Sequence, residues 1–351
     1  MGETPMLLKM PTFKDILGQE NAIEAISRAY ESERLPHGLI FAGPVGVGKA
    51  TTARALATLF LCEKPNGLEP CGKCASCDLM NAQPEPTHPD YHVVYRQLIR
   101  LEKEKSKAIE LSVDVIRDYL VEPANMKASM NRGKVFVVEE AELMNPAAQN
   151  AMLKTLEEPA GRTLIILLTD QPHALLPTIR SRSQLVRFAP LDTKLVQREL
   201  EKRKIDKGAA AAAAALTEGS LGLALKWVQD GVVSAAGELI KQLDALLAGR
   251  AVGDLADWFK KAADAYAEQQ LKRDKLASKD QATREGLSLY LKIAANRFRQ
   301  RLASSTDPDD LEAACAAIDA IVRAENYLDS NVNVALTFQQ FATTLEREFA
   351  R

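Results

Sequence analysis

Nine consecutive residues, Gly43-Pro44-Val45-Gly46-Val47-Gly48-Lys49-Ala50-Thr51, have the composition of a loop that wraps phosphate. Glycines at Gly43, Gly46 and Gly48 let backbone N–H groups converge on oxygen atoms, and Lys49 would reach the outer phosphates. Magnesium in such a loop is held by a Ser or Thr directly after the lysine. Ala50 stands there and has no oxygen, while Thr51 comes one residue late and would point about 100° away on a helix. The partner acidic element is Glu139-Glu140, closing Val135–Val138, with Glu where Asp usually directs the metal. A second set of reactive types is Cys62, Cys71, Cys74 and Cys77, spaced C-x8-C-x2-C-x2-C. Four thiolates close a tetrahedral zinc site, and x2 spacings let a tight turn present adjacent sulfurs, helped here by Pro70 and Gly72. With four protein ligands no position is left for water, so the expected role is structural. An iron–sulfur cluster is the alternative occupant.

These residues need a scaffold. The first half alternates short apolar runs (Leu39–Ala42, Val93–Tyr95, Val135–Val138, Leu164–Leu168) with helical periods such as Thr51–Leu61 and Pro146–Leu156. Apolar runs without alternation read as strands buried on both faces, so the first half is expected to be an α/β domain with a mostly parallel sheet. The run Leu39–Ala42 leads straight into the glycine-rich loop, and a helical period follows it. That strand–loop–helix order is the context a P-loop requires. After Pro190 strand-like runs cease. Thr193–Arg203 and the alanine run Ala209–Ala215 read as helices, followed by Gly219-Ser220-Leu221-Gly222. Long amphipathic segments continue as Gly237–Leu247, Leu255–Leu271, Arg284–Leu302, Asp309–Leu328 and Val334–Phe349.

Three segments together carry a resemblance: Phe13–Gln19 (FKDILGQ), the P-loop, and Leu153–Pro159 (LKTLEEP), followed by Pro177-Thr178-Ile179-Arg180-Ser181-Arg182-Ser183. On them the chain resembles the AAA+ clamp-loader family of bacterial DNA polymerase III, across nearly its whole length and most strongly over residues 13–190. The last segment is similar to the family's Ser-Arg-Cys motif, with Ser183 in place of Cys. By that resemblance Arg182 is a trans arginine finger reaching ATP held by a neighbouring subunit, a task suited to a permanently charged planar fork. Family members that hydrolyse ATP carry an Arg where Gly222 stands; glycine there, and the segment Asn331–Leu336, resemble the delta-prime members. Bacterial members also carry a zinc module in the first domain, in agreement with the cysteines.

The resemblance implies a AAA+ P-loop domain over residues 1–190 with a zinc insert at about 62–80, a small helical lid over 191–231, and an all-α collar over 232–351. The implied function is that of a delta-prime-type subunit in a hetero-pentamer with tau/gamma motor subunits and a delta subunit, loading a sliding clamp onto primed DNA. Ala50, Glu139 and Gly222 depart together from an active ATP site, so ATP and Mg²⁺ are doubtful ligands of this chain and little ATPase activity is expected. Lys49 and Glu140 favour the alternative, an active tau/gamma-like motor. Thr169, at the end of Leu164–Leu168, matches the family's polar sensor but equally fits a strand-capping turn.

Other residues narrow the field. With 45 Lys and Arg against 47 Asp and Glu, the chain has no global basic excess, so any nucleic-acid contact is local or through a partner. No apolar run reaches 18 residues, which excludes a membrane helix and leaves a cytoplasmic location as the expectation. His37, His88, His92 and His173 form no legible set, and no carboxylate group for two-metal polymerase or nuclease chemistry is visible. The run Arg100–Lys107 reads as a solvated face and Cys315 as a packed apolar residue.

Overall fold

The computed structural model describes residues 10–102, 108–130, 132–250, 253–273, 277–329 and 334–349. Residues 103–107 of the charged run and Asn331, Val332 and Asn333 of the C-terminal segment lie outside them.

Five strands form one wholly parallel sheet: β1 (Gly38–Ala42), β2 (Tyr91–Val94), β3 (Lys134–Val138), β4 (Thr163–Thr169) and β5 (Gln184–Arg187), in the order β2-β3-β4-β1-β5. β1 sits between β4 and β5, with Leu39 opposite Ile166 and Gln184. The reason for the unbroken apolar runs is visible in the two cores. Ile40, Phe136, Val138, Ile165 and Leu167 enter one cluster, and Leu39, Phe41, Val135, Val137 and Ile166 enter the other, so alternate residues bury on opposite faces. β5 escaped sequence reading because only Val186 of its four residues is buried, as befits an edge strand paired on one side.

Helix α1 (Glu20–Glu31) and helix α2 (Lys49–Leu61) pack on the second of these clusters, and α3 (Ala75–Met80) lies within the cysteine-bearing insert, with Cys74 at its N-cap and Cys77 in the helix. The expected helix Pro146–Leu156 is instead two, Pro146–Ala151 and Leu153–Glu157, separated at Met152, whose side chain is fully buried. Arg100 departs from the expected solvated face: it is buried, because Leu98 and Ile99 just before it enter the core and draw this turn inward.

The described residues divide into two compact units, one comprising residues up to Glu199 with Thr217–Leu223, the other Leu200–Leu216 with Ala224 onward. The second unit contains the helices Val232–Leu247, Leu255–Arg273, Lys279–Ser304, Pro308–Asp329 and Val334–Phe349. Phe259 is fully buried there, with the rings of Phe338 and Phe341 at 5.0 and 5.6 Å. Gly286 lets two helices approach closely, since a Cβ there would lie 3.1 Å from the Ala263 Cα. Cys315 is exposed, contrary to its expected packing: Ala314 and Ala317 occupy the buried face of that helix, and Cys315 falls on the other. The fold class is thus the expected one, a parallel α/β P-loop domain followed by a helical C-terminal region. Among the described residues no helix is long and apolar enough to cross a membrane.

Candidate functional site

The P-loop leaves the carboxyl end of β1, the edge at which parallel sheets present ligand sites. Gly46 and Gly48 have φ of 75° and 108°, a region closed to most side chains, and Gly48 caps α2. Gln19 straps the loop to the segment after β5: its side-chain amide donates to the Val47 and Ala189 carbonyls, and its oxygen accepts from the Ala189 N–H at 3.0 Å. The loop's shape is therefore held from outside, by a residue that the sequence offered only as part of a motif.

Lys49 is buried and its ammonium folds onto the loop itself, donating to the Gly43 carbonyl and, at 2.7 Å, to the Pro44 carbonyl. Burial lowers its pKa, opposed by the charges of Asp170 and Glu142. Of the next residues, Ala50 is exposed, and it is Thr52 whose hydroxyl donates to the Gly48 carbonyl at 2.9 Å.

Across the sheet edge, β3 ends in Glu139 and Glu140. Burial, with Glu140 and Glu85 nearby, raises the Glu139 carboxyl pKa. Glu140 adopts a left-handed backbone (φ 49°) and its carboxylate pairs with Arg96 Nε at 2.9 Å. Thr169, at the end of β4, is buried; its Oγ accepts from the Gln171 N–H at 3.0 Å and its hydroxyl donates to Glu142. The bond from Gln171 is that of a strand-capping turn.

Gly222 joins this site through close approach. Its N–H donates to the Gly46 carbonyl at 2.8 Å, and a Cβ on Gly222 would lie 2.9 Å from that oxygen. A side chain at 222 therefore cannot be added without moving the P-loop. Lys49, Glu139, Glu140, Thr169 and Gly222 are all brought to one edge of the sheet. Glu142, Arg96 and Gln19 belong with them and were not singled out from the sequence. Glu142 had a signal in its place two residues after the acidic pair, and Gln19 in closing the Phe13–Gln19 motif; Arg96 had none.

Arg182 lies apart from the P-loop, just before β5. Its Nε donates to Glu157 at 2.6 Å, a second nitrogen also pairs with that carboxylate, and Nη1 donates to the Thr178 carbonyl at 3.1 Å. Glu157 belongs to the LKTLEEP segment, so two motifs separated in sequence meet in one surface ion pair.

The four cysteines converge. Their Sγ atoms all lie within 4.8 Å of one another, and the Cys71–Cys77 distance is 4.0 Å. Zinc–sulfur bonds of about 2.3 Å at tetrahedral angles give sulfur separations of about 3.8 Å, so the group fits a metal ion. The Cys71 N–H donates to Cys62 Sγ at 3.2 Å, the Cys77 N–H to Cys74 Sγ at 3.5 Å. A backbone N–H from Lys73 is the main reason the Cys71 thiol is brought down to about 6. Behind the cluster, Ser76, His88 and Asp90 form a buried chain. The Asp90 N–H donates to His88 Nδ1, which leaves Nε2–H to donate to Ser76 Oγ at 3.0 Å. That tautomer cannot take a proton from Ser76, so the trio braces the insert and does not make a nucleophile.

Residues 18–192 match the sequence profile of a family described as DNA polymerase III, delta subunit. The Escherichia coli (strain K12) DNA polymerase III subunit delta' is 37% identical over 207 residues, which cover 59% of this chain and 58% of that protein. The corresponding Pseudomonas aeruginosa subunit is 42% identical over 146 residues, 42% of this chain and 41% of that protein. The tau subunit of Bacillus subtilis (strain 168) is 29% identical over 250 residues, 69% of this chain and 41% of its own length. The chain thus spans between 41% and 58% of the length of these relatives.

Proposed function

Over residues 18–192 the chain belongs to the clamp-loader family of DNA polymerase III subunits, and from that membership we propose that it serves as a delta-prime-type subunit. In this reading it stands in a hetero-pentamer with tau/gamma motor subunits and a delta subunit, in the cytoplasm, and helps open a sliding clamp and close it on primed DNA. Its own contribution is Arg182, presented to ATP bound by a neighbour. A guanidinium in that place stabilises charge on the transferring phosphoryl group.

The observation that carries the proposal is the packing of Gly222 on Gly46. An arginine sensing the γ-phosphate has no room there while the loop keeps this shape. Ala50, the Lys49 ammonium turned onto its own loop, and Glu140 engaged by Arg96 point the same way. ATP and Mg²⁺, where they bind in this loop, would be held by the loop N–H groups, Lys49 and Glu139; the magnesium would supply charge neutralisation of the phosphates. The four thiolates we read as a structural zinc site, and the chain as three domains, 1–190, 191–231 and 232–351.

The test is steady-state ATP hydrolysis by the reconstituted loader with clamp and primed DNA. Arg182→Ala is expected to lower turnover at the neighbouring site by about 10³-fold or more, in line with other arginine fingers, and the loader's total by the share that site contributes, while Lys49→Ala leaves the total near the parent rate. The opposite result would make this chain a motor.

A further inference from the structure

At the amino-terminal edge of the sheet, away from the P-loop, the first unit holds a cavity of about 710 Å³ lined in part by Tyr30, Glu31, Glu33, Arg132 and Arg162. Arg132 and Arg162 stand just before β3 and β4. The Arg162 guanidinium lies 3.8 Å over the Phe60 ring, and its Nη1 donates to the Phe60 and Arg132 carbonyls, each at 2.8 Å. Arg132 Nε donates to the Cys62 carbonyl at 3.0 Å. The Tyr30 hydroxyl donates to the Leu59 carbonyl at 3.5 Å and lies close enough to feel both guanidiniums.

Every one of these partners is neutral. Among the described residues neither arginine forms an ion pair with a carboxylate. Burial first, and Arg132 second, lower the Arg162 pKa. Two like charges face one cavity whose carboxylates, Glu31 and Glu33, pair with neither of them, and a bound anion lowers the repulsion between them. Guanidinium forks match the oxygens of phosphate and carboxylate alike, but two of them match a dianion, and a phosphate monoester carries close to two charges near neutral pH.

The size of the cavity excludes a bare ion as its best occupant, since volumes of about 300–1,000 Å³ take whole small molecules. Glu31 and Glu33 at the same wall repel a polyanion such as a nucleic-acid strand and accept hydrogen bonds from hydroxyl or amino groups. We propose that this cavity binds a small organic phosphate monoester of nucleoside-monophosphate size, with its phosphate on Arg132, Arg162 and the Tyr30 hydroxyl. The site is separate from the P-loop and does not rest on the clamp-loader reading.

The experiment is isothermal titration calorimetry on the full chain at low ionic strength, with three probes: AMP, inorganic phosphate and a 5′-phosphorylated single-stranded oligonucleotide. AMP is expected to bind more tightly than inorganic phosphate. Arg132→Gln is expected to weaken AMP by about tenfold or more; it also removes the anchor on the Cys62 carbonyl, so melting temperature and metal content are measured beside it. Lys49→Ala is the control for the P-loop and is expected to leave AMP affinity within about twofold of the parent. Arg162→Gln removes two backbone anchors and is read only if the variant melts like the parent. Unchanged AMP affinity in Arg132→Gln overturns the proposal. So does a loss of binding in Lys49→Ala, or an Arg132 dependence confined to the oligonucleotide.

Discussion

Glu139 is a carboxylate at a strand end whose pKa is raised chiefly by burial, with Glu140 and Glu85 adding repulsion. A raised carboxylate pKa means that the charged form destabilises the fold. The penalty is full above the folded-state pKa and disappears as pH falls toward the ordinary carboxylate range. Glu139→Gln should therefore stabilise the chain at pH 8 by about 0.5 kcal/mol, with the gain shrinking as pH is lowered to 4.5, measured by urea unfolding at a series of pH values. A gain that grows on acidification would contradict the assigned cause. Gly222 makes the second residue-scale prediction. Gly222→Arg places a Cβ against the Gly46 carbonyl, so a loss of about 1–3 kcal/mol from overpacking is expected, with no gain in ATP turnover. A variant that gains turnover while keeping its stability would show that the missing arginine alone separates this chain from a motor.

At the scale of elements, the insert between α2 and β2 has few means of holding itself together. It contributes the one-turn-scale helix α3, the bracing trio Ser76–His88–Asp90, and the cysteines. Small metal modules derive folding energy from the ion, since ligands are brought together only in the folded state. Chelation by EDTA, or Cys71→Ser, is expected to release one metal ion per chain and expose backbone amides of residues 62–80 to hydrogen exchange. Amides of β1, β3 and β4 should stay protected, because their bonds run within the sheet. Loss of protection across the whole sheet would mean that the insert is part of the main core. The edge strand β5 and the split helix at Met152 also belong to this scale. Both are set by which side of a short segment meets the core, a property that local periodicity over four or five residues does not carry.

For the whole molecule, the first unit buries apolar residues on both faces of its sheet, and the second buries Leu239, Leu243, Phe259, Ala263, Leu287 and Phe298. Phe259 is the centre of an aromatic group in the second unit, and Phe259→Ala should cost about 3–5 kcal/mol by leaving a cavity. The metal content of the first unit should not change. A drop in metal stoichiometry in that variant would show that folding of the cysteine-bearing insert depends on this aromatic group. The sequence by itself determined the P-loop, the four-cysteine group, four of the five strands and the long C-terminal helices. Each of these rests on local spacing or on periodicity sustained over many residues. What the tertiary structure alone decided were contacts between segments far apart in the chain: Gly222 against Gly46, Arg182 against Glu157, Arg96 against Glu140, and Arg132 beside Arg162. No spacing rule encodes them. They arise where strand order and loop length place two backbones side by side.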